Sequence, residues 1–403
     1  MSEPEHVVVV GAGLGGLRTV EGLRRAGVGG RISLVGAEKH LPYDRPPLSK
    51  QYLAGEWEHD RIALTTEDDL DELGVRMHLG RSAVALEPGQ VELDDGTTLH
   101  ADAIVLAVGL TSRTLDGGPG SARLLRDLDE SRTLRDALGA ASELLVVGAG
   151  FIGTEVASTA ASRGLRVTVL EAAATPMARV LGEQVGALAA RLVREGGVDL
   201  RCDASIASLG DDGATLGSGE VVTADEIVLG IGGQLDLGWL EPTGLDLSGG
   251  IPCDERGRVD GLDGVWAVGD AAAWTDPRHG DRPRHEHWTS ATDQAAVVAA
   301  DIAGTDPPPA TVPYFWSDQF GLKIQLIGRP DLADSVLPLH GEGFADDGDT
   351  GGPIKGTAIG YLRGDELVAV AGFGAARRVA RYRRPLADGA DRAATLEFRD
   401  SLG

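Results

Sequence analysis

Twice in this chain a short apolar strand runs straight into a glycine-rich turn, and each time a helix and a second strand with a nearby acid follow. The first copy opens with His6-Val7-Val8-Val9-Val10, a β-branched run that reads as a buried strand. It leads into Gly11-Ala12-Gly13-Leu14-Gly15-Gly16, with Gly11, Gly13 and Gly16 in the three slots of a G-x-G-x-x-G. Leu17, Val20 and Leu23 then recur at three-residue spacing, with Arg18, Glu21 and Arg25 toward solvent. Arg31–Val35 is the next strand, and Glu38 lies 22 residues past Gly16. The second copy starts 137 residues after the first. Its strand is Glu143–Val147, its glycines are Gly148, Gly150 and Gly153, and its helix is expected over Thr154–Arg163. The following strand, Arg166–Leu170, ends directly in Glu171.

The chemistry explains the spacing. The first glycine makes the tight turn, the second lets the backbone approach a pyrophosphate, and the third packs helix on strand. The helix N-terminus then offers N–H groups to the phosphates, and the acid accepts hydrogen bonds from a ribose diol. In a chain with 58 glycines a lone glycine-rich turn says little. With strand, helix and acid around it, the motif becomes specific. Two such units imply two dinucleotides, and the commonest physical reason to hold two is hydride transfer between a nicotinamide and a flavin. At Glu171 a carboxylate suits the 2′-hydroxyl of NAD and repels the 2′-phosphate of NADP. The next four residues, Ala172-Ala173-Ala174-Thr175, include no arginine, and Arg179 is the nearest base, eight positions on. The expected coenzyme is therefore NADH. Glu38 is a looser match, because Gly36 and Ala37 separate it from its strand. A third signal, Gly264–Asp270, is an apolar strand ending in Gly-Asp, placed about where an interrupted flavin domain would resume.

Composition excludes several classes. At roughly 100–200 residues per domain, 403 residues predict two to four domains. With 62 acids against 37 bases and a net charge of −25, the surface repels nucleic acid phosphates and anionic lipid, so neither is an expected partner. No run of about 18 apolar residues exists to span a membrane. Met1–Val10 lacks the basic and apolar regions of a signal peptide, so a soluble, cytoplasmic protein is expected. Cys202 and Cys253, 51 residues apart, match no zinc or C-x-x-C pattern, and no metal is expected.

The stretch Pro42-Tyr43-Asp44-Arg45-Pro46-Pro47-Leu48-Ser49-Lys50 adds a highly specific pattern. With the two fingerprints, the Gly269-Asp270 strand end and Tyr314–Gln319, it resembles the FAD-dependent NADH:ferredoxin reductases over essentially the whole chain. These belong to the wider glutathione-reductase-like flavoproteins. The resemblance implies that the proline-rich loop covers the flavin, with Arg45 and Lys50 near the cofactor. Prolines do stiffen a loop, although the same residues also suit a solvated surface turn. It further implies that Glu155 pairs with Lys50 beside the reacting flavin nitrogen, that Asp270 bonds the ribityl chain, and that Trp288 lies by the flavin. Near the start of a helix Glu155 is also an ordinary dipole partner; by itself Trp288 reads as core, and His287 as structural. Two departures stand out. Val108 occupies a position where these relatives usually carry threonine, and the cysteine pair of the disulfide-reducing relatives is missing. Thiol–disulfide exchange needs two neighbouring cysteines, so the electrons are expected to leave for an external acceptor.

The fold expected is α/β: two Rossmann-like dinucleotide-binding domains and a smaller C-terminal α+β domain. The FAD domain is read as 1–114 and 247–312, the NAD domain as 115–246, and the C-terminal domain as 313–403, after the proline-rich linker Thr305–Ala310. In the last domain strands are read at Lys323–Ile327, Thr357–Leu362 and Leu367–Phe373, and Asp346–Gly352 as a loop. Arg377, Arg378, Arg381, Arg383 and Arg384 put five arginines into eight residues of an acidic chain. Such a run is ordinarily a solvated helix face. With the resemblance it suggests docking of an acidic iron–sulfur ferredoxin, of the 2Fe–2S kind. The expected activity is hydride transfer from NADH to FAD followed by single-electron delivery, with Lys50 and Glu155 nearest the reaction. Rivals are a rubredoxin, quinone or small-molecule reductase on the same scaffold, or a redox-sensing protein that binds both nucleotides without turnover.

Overall fold

Val7 and Val9 pack into one apolar cluster, Val8 and Val10 into another, so His6–Val10 is a strand buried on both faces. That is why its sequence is an unbroken apolar run rather than an alternating one. The computed structural model describes residues 3–115 and 121–402. They form two compact units. The first comprises Met1–Asp44, His59–Thr111 and Gln234–Thr311; the second comprises Arg45–Glu58, Ser112–Gly233 and Val312–Gly403.

The first unit is built on a parallel five-stranded sheet. Its order is Val265–Ala267, Ala103–Leu106, His6–Val10, Arg31–Gly36, Val75–Leu79. The helix Leu14–Arg25 covers one face with Leu17, Val20 and Leu23. The helix Trp288–Ala303 lies against it at a small-residue contact, where a Cβ on Gly22 would stand 2.8 Å from that of Ala299. The antiparallel meander Ala83–Glu87, Gln90–Leu93, Thr98–His100 packs Leu86, Val91 and Leu93 on the other face.

The second unit has a parallel four-stranded sheet ordered Asp199–Arg201, Arg166–Leu170, Glu143–Val147, Glu226–Leu229. It also holds an antiparallel sheet ordered Tyr314–Gln319, Leu322–Gly328, Glu366–Phe373, Thr357–Arg363, Ser335–His340. The helix Ala178–Glu195 joins them: its Leu181, Val185, Leu188 and Leu192 share a core with Ile324, Ile359 and Phe373. The three strands expected in this segment are present, each a residue or two longer, and Asp346–Gly352 carries no regular element. The edge strands Tyr314–Gln319 and Ser335–His340 complete the sheet. Among the described residues no helix is long and apolar enough to cross a membrane.

One buried charge anchors the first unit. The Asp301 side chain, 2 % exposed, accepts from Trp266 Nε1 at 2.9 Å, from Arg258 Nε and Nη2 at 2.7 Å each, and from Arg256 Nη1 at 3.2 Å. Burial pushes this carboxyl up, but the donors from Arg258, Trp266 and Arg256 outweigh it, and the net shift is downward. Asp301→Ala leaves the buried indole N–H without its acceptor and should cost about 2–3 kcal/mol at pH 7. A carboxyl held below its unfolded value stabilises above that value and loses its contribution as pH falls through the folded one. The melting-temperature gap between wild type and variant should therefore narrow in strong acid.

Candidate functional site

Both glycine-rich turns have the geometry their spacing demands. Gly11 has φ +113°, and a Cβ there would lie 2.1 Å from the Ala107 carbonyl oxygen; one on Gly16 would lie 1.9 Å from the Gly11 oxygen. In the second unit Gly148 has φ +99° and would meet Gly230 O at 2.5 Å, while Gly153 would meet Gly148 O at 2.1 Å. The middle glycines differ. Gly13 has nothing within 4 Å of its Cβ position, and Gly150 only Gly230 O at 3.8 Å. They face open space, which is what a closely approaching pyrophosphate requires. Gly13 and Gly150 are also the N-caps of Leu14–Arg25 and Phe151–Ser162, with no side-chain cap and no acid in the first turn. Uncapped N–H donors beside open space fit a dinucleotide in each unit.

The helix of the second copy begins at Phe151, three residues before the expected Thr154, because Gly153 lies inside its first turn. Glu155 is thus the fifth helical residue rather than the second. The dipole effect has faded there, and its role is set by what it touches.

Around the first turn, Glu38 lies two residues past its strand and accepts from the Tyr43 hydroxyl at 2.5 Å. Gly269 N–H donates to the buried Gln294 Oε1 at 2.8 Å, and Arg284 Nη1 donates to the Asp270 carbonyl at 2.7 Å, so both flanks of the Gly-Asp turn are held. Trp288 opens its helix and donates Nε1–H to Asp44 Oδ1 at 2.8 Å. His287 stacks near His285, and burial lowers it to about 4, with His285 adding to the effect, so it is neutral at physiological pH. Val108 packs against the core of the same unit.

Around the second turn, Glu171 Oε2 accepts from Ala149 N–H at 2.6 Å and Oε1 from Ala173 N–H at 2.9 Å. Those bonds brace the carboxylate at the strand end and leave each oxygen a further lone pair. In the same unit Lys50 Nζ meets Glu155 Oε2 at 2.8 Å, their side chains only 11 % and 6 % exposed. Ser49 Oγ donates to the same oxygen at 2.5 Å and Ser317 Oγ to Oε1 at 2.5 Å. The loop carrying Lys50 is tied down: Ser131 Oγ donates to Leu48 O at 2.7 Å, Thr159 Oγ1 to Ser49 O at 2.8 Å, and Arg45 Nη1 to Arg126 O at 2.5 Å. Sequence reasoning passed over Ser49 and Ser317 as donors. Both stand inside motifs it quoted, but nothing marked their hydroxyls as partners of Glu155.

The arginine run is not one helix. It crosses Ala376–Val379, a tight turn at Ala380–Tyr382 and Arg383–Asp388. Val379, Tyr382 and Leu386 are buried, whereas Arg377, Arg381, Arg383 and Arg384 are exposed and Arg378 is half-buried. Arg383 stacks over Tyr314 with Cζ 5.2 Å from the ring centre, and Arg384 makes a long, exposed 3.4 Å pairing with Asp388. Cys202 and Cys253 are both thiols rather than disulfide partners; burial raises each, and Cys253 strongly.

Residues 5–295 match the family described as pyridine nucleotide-disulphide oxidoreductase, and residues 314–400 the one described as reductase C-terminal. The chlorobenzene dioxygenase ferredoxin reductase component of Cupriavidus sp. (strain PS12) is 39 % identical over 80 % of this chain and 80 % of its own. A rubredoxin-NAD(+) reductase of Pseudomonas putida is 34 % identical over 83 % of this chain and 90 % of its own. Among solved structures, the covalent putidaredoxin reductase–putidaredoxin complex aligns with a TM-score of 0.90 and 29 % identity, covering 99 % of this chain and 98 % of the other.

The two kinds of glycine should separate experimentally. Gly150→Ala is expected to keep the melting temperature within about 2 °C while weakening NAD+ binding measured by calorimetry. Gly153→Ala, which drives a methyl into backbone, should destabilise the whole unit.

Proposed function

Because the chain belongs to the pyridine nucleotide-disulphide oxidoreductase family, we propose that it is an FAD-dependent NADH:ferredoxin reductase. The observation that carries this reading is the doubled glycine cradle, each with an uncapped helix start and an acid beyond the second strand. FAD, when bound, accepts a hydride from NADH and lets the two electrons depart singly. Gly11, Gly13, Gly16, Glu38, Asp270 and Trp288 are assigned to hold it; Gly148, Gly150, Gly153 and Glu171 are assigned to NADH. The resemblance assigns Lys50 and Arg45 to the flavin as well, where they would supply positive charge as negative charge grows on reduction. Glu155 neutralises and orients the Lys50 ammonium, a pairing that a buried cation needs. The domain reading that accompanies this is a discontinuous FAD domain, 1–114 and 247–312, an inserted NAD domain, 115–246, and a C-terminal domain, 313–403.

The electrons go to an external one-electron carrier, since Cys202 and Cys253 make no dithiol. We read the carrier as an acidic 2Fe–2S ferredoxin that feeds an oxygenase, in the cytoplasm. Support comes from exposed arginines on a chain of net charge −25 and from relatives named for dioxygenase and putidaredoxin systems. The named similarity to a rubredoxin reductase makes rubredoxin the second candidate.

Reversing Arg383 and Arg384 to Glu should raise the KM for ferredoxin about tenfold at low ionic strength and leave NADH-to-dye activity intact. Equal loss of both activities would place docking elsewhere. Glu171→Ala should erode the preference for NADH over NADPH; an unchanged ratio would remove Glu171 from coenzyme selection.

A further inference from the structure

The Glu155 carboxylate is served unequally at its two oxygens. Oε2 has two donors, Lys50 Nζ and Ser49 Oγ, whereas Oε1 has one among the described residues, Ser317 Oγ at 2.5 Å. Ser317 has no exposed surface. Its oxygen also accepts from Gln319 Nε2 at 3.0 Å, so its single proton is committed to Glu155. Gln319 is itself buried, and its Nε2 lies 4.0 Å from Met177 Sδ. Side chains alternate along the strand Tyr314–Gln319, which puts Ser317 and Gln319 on one face together with Phe315. Phe315 packs on Phe151, at the start of the helix carrying Glu155, with ring centres 4.4 Å apart. The edge strand of the antiparallel sheet is thereby clamped to that helix by a ring contact and by a charge-assisted hydrogen bond.

We propose that Ser317 is a positioning residue for the Lys50–Glu155 pair, so that the C-terminal sheet completes a site whose other members lie more than 150 residues earlier in the chain. With Oε1 fixed, Oε2 must face Lys50 and Ser49; with Oε1 released, the carboxylate can turn about its last bond and the ammonium loses its fixed partner. Bonds to a charged acceptor are shorter and stronger than neutral ones, and both serine contacts are short. The inference rests on the reading that Glu155 attends the reaction, and Gln319 is the outer member that orients the Ser317 hydroxyl.

A double-mutant cycle on the purified flavin-loaded protein tests it, using Ser317→Ala, Glu155→Gln and both together. Ser317→Ala should slow flavin reduction at saturating NADH about tenfold, the equivalent of one hydrogen bond to a charged group. The NADH dissociation constant should stay within about twofold, since nothing in NADH binding is altered. The melting temperature should fall by about 2–5 °C, and this fall should at least halve in the Glu155→Gln background. An equal fall in both backgrounds overturns the proposal and makes Ser317 ordinary packing. Should Glu155→Gln alone reduce its flavin at the wild-type rate, the catalytic reading of Glu155 fails, and the melting cycle still decides whether Ser317 holds it.

Discussion

Each parallel sheet depends on a backbone-to-backbone approach that no side chain could survive. The start of Leu14–Arg25 comes so near the end of His6–Val10 that a methyl on Gly16 would sit inside the Gly11 carbonyl, and Gly153 stands likewise to Gly148. That approach turns the helix N–H groups toward the carboxyl edge of the sheet. It also leaves the middle glycine of each motif facing open space. The demands on the three glycines are therefore different in kind: Gly11, Gly16, Gly148 and Gly153 are required by close backbone contacts, while Gly13 and Gly150 face open space.

The second unit adds a charge to this frame. A lysine and a glutamate this far from water are tolerated only with their hydrogen bonds made, and Ser49 and Ser317 make them. Their contributors come from the proline-rich loop, the fingerprint helix and the antiparallel sheet, three segments far apart in sequence. Helix Ala178–Glu195 shares an apolar core with that sheet, so the Ser317 contact rests on a packed foundation. On the outer side of the same sheet the arginine run is anchored by Val379, Tyr382 and Leu386, which leaves four guanidinium groups exposed.

Local features were legible in the sequence and long-range ones were not. Strand His6–Val10 has the boundaries its apolar run indicates, because a strand buried on both faces writes itself as a continuous run; Arg166–Leu170, whose Arg166 is exposed, also has its expected bounds. Glycine's low helix propensity argues for a start at Thr154, but the helix begins at Phe151 and Gly153 is its contact residue. Nothing in the sequence marks Asp301, an acid on an alanine-rich helix; only the fold brings Trp266, Arg256 and Arg258 to it. Ser317 was invisible for the same reason: a serine hydroxyl has no sequence signature, and its partner lies 162 positions away. The arginine run is plain as charge, but its division into three short elements is not, since Val379, Tyr382 and Leu386 keep the spacing of a single buried helix face.

On the proposed function, NADH reduces a flavin whose electrons leave singly for a ferredoxin. The most direct measurement is NADH-driven cytochrome c reduction, with and without an added 2Fe–2S ferredoxin. The account predicts a rate that rises many-fold with ferredoxin and saturates at micromolar carrier. A rate indifferent to ferredoxin, or a flavin that stays oxidised under NADH, would contradict it.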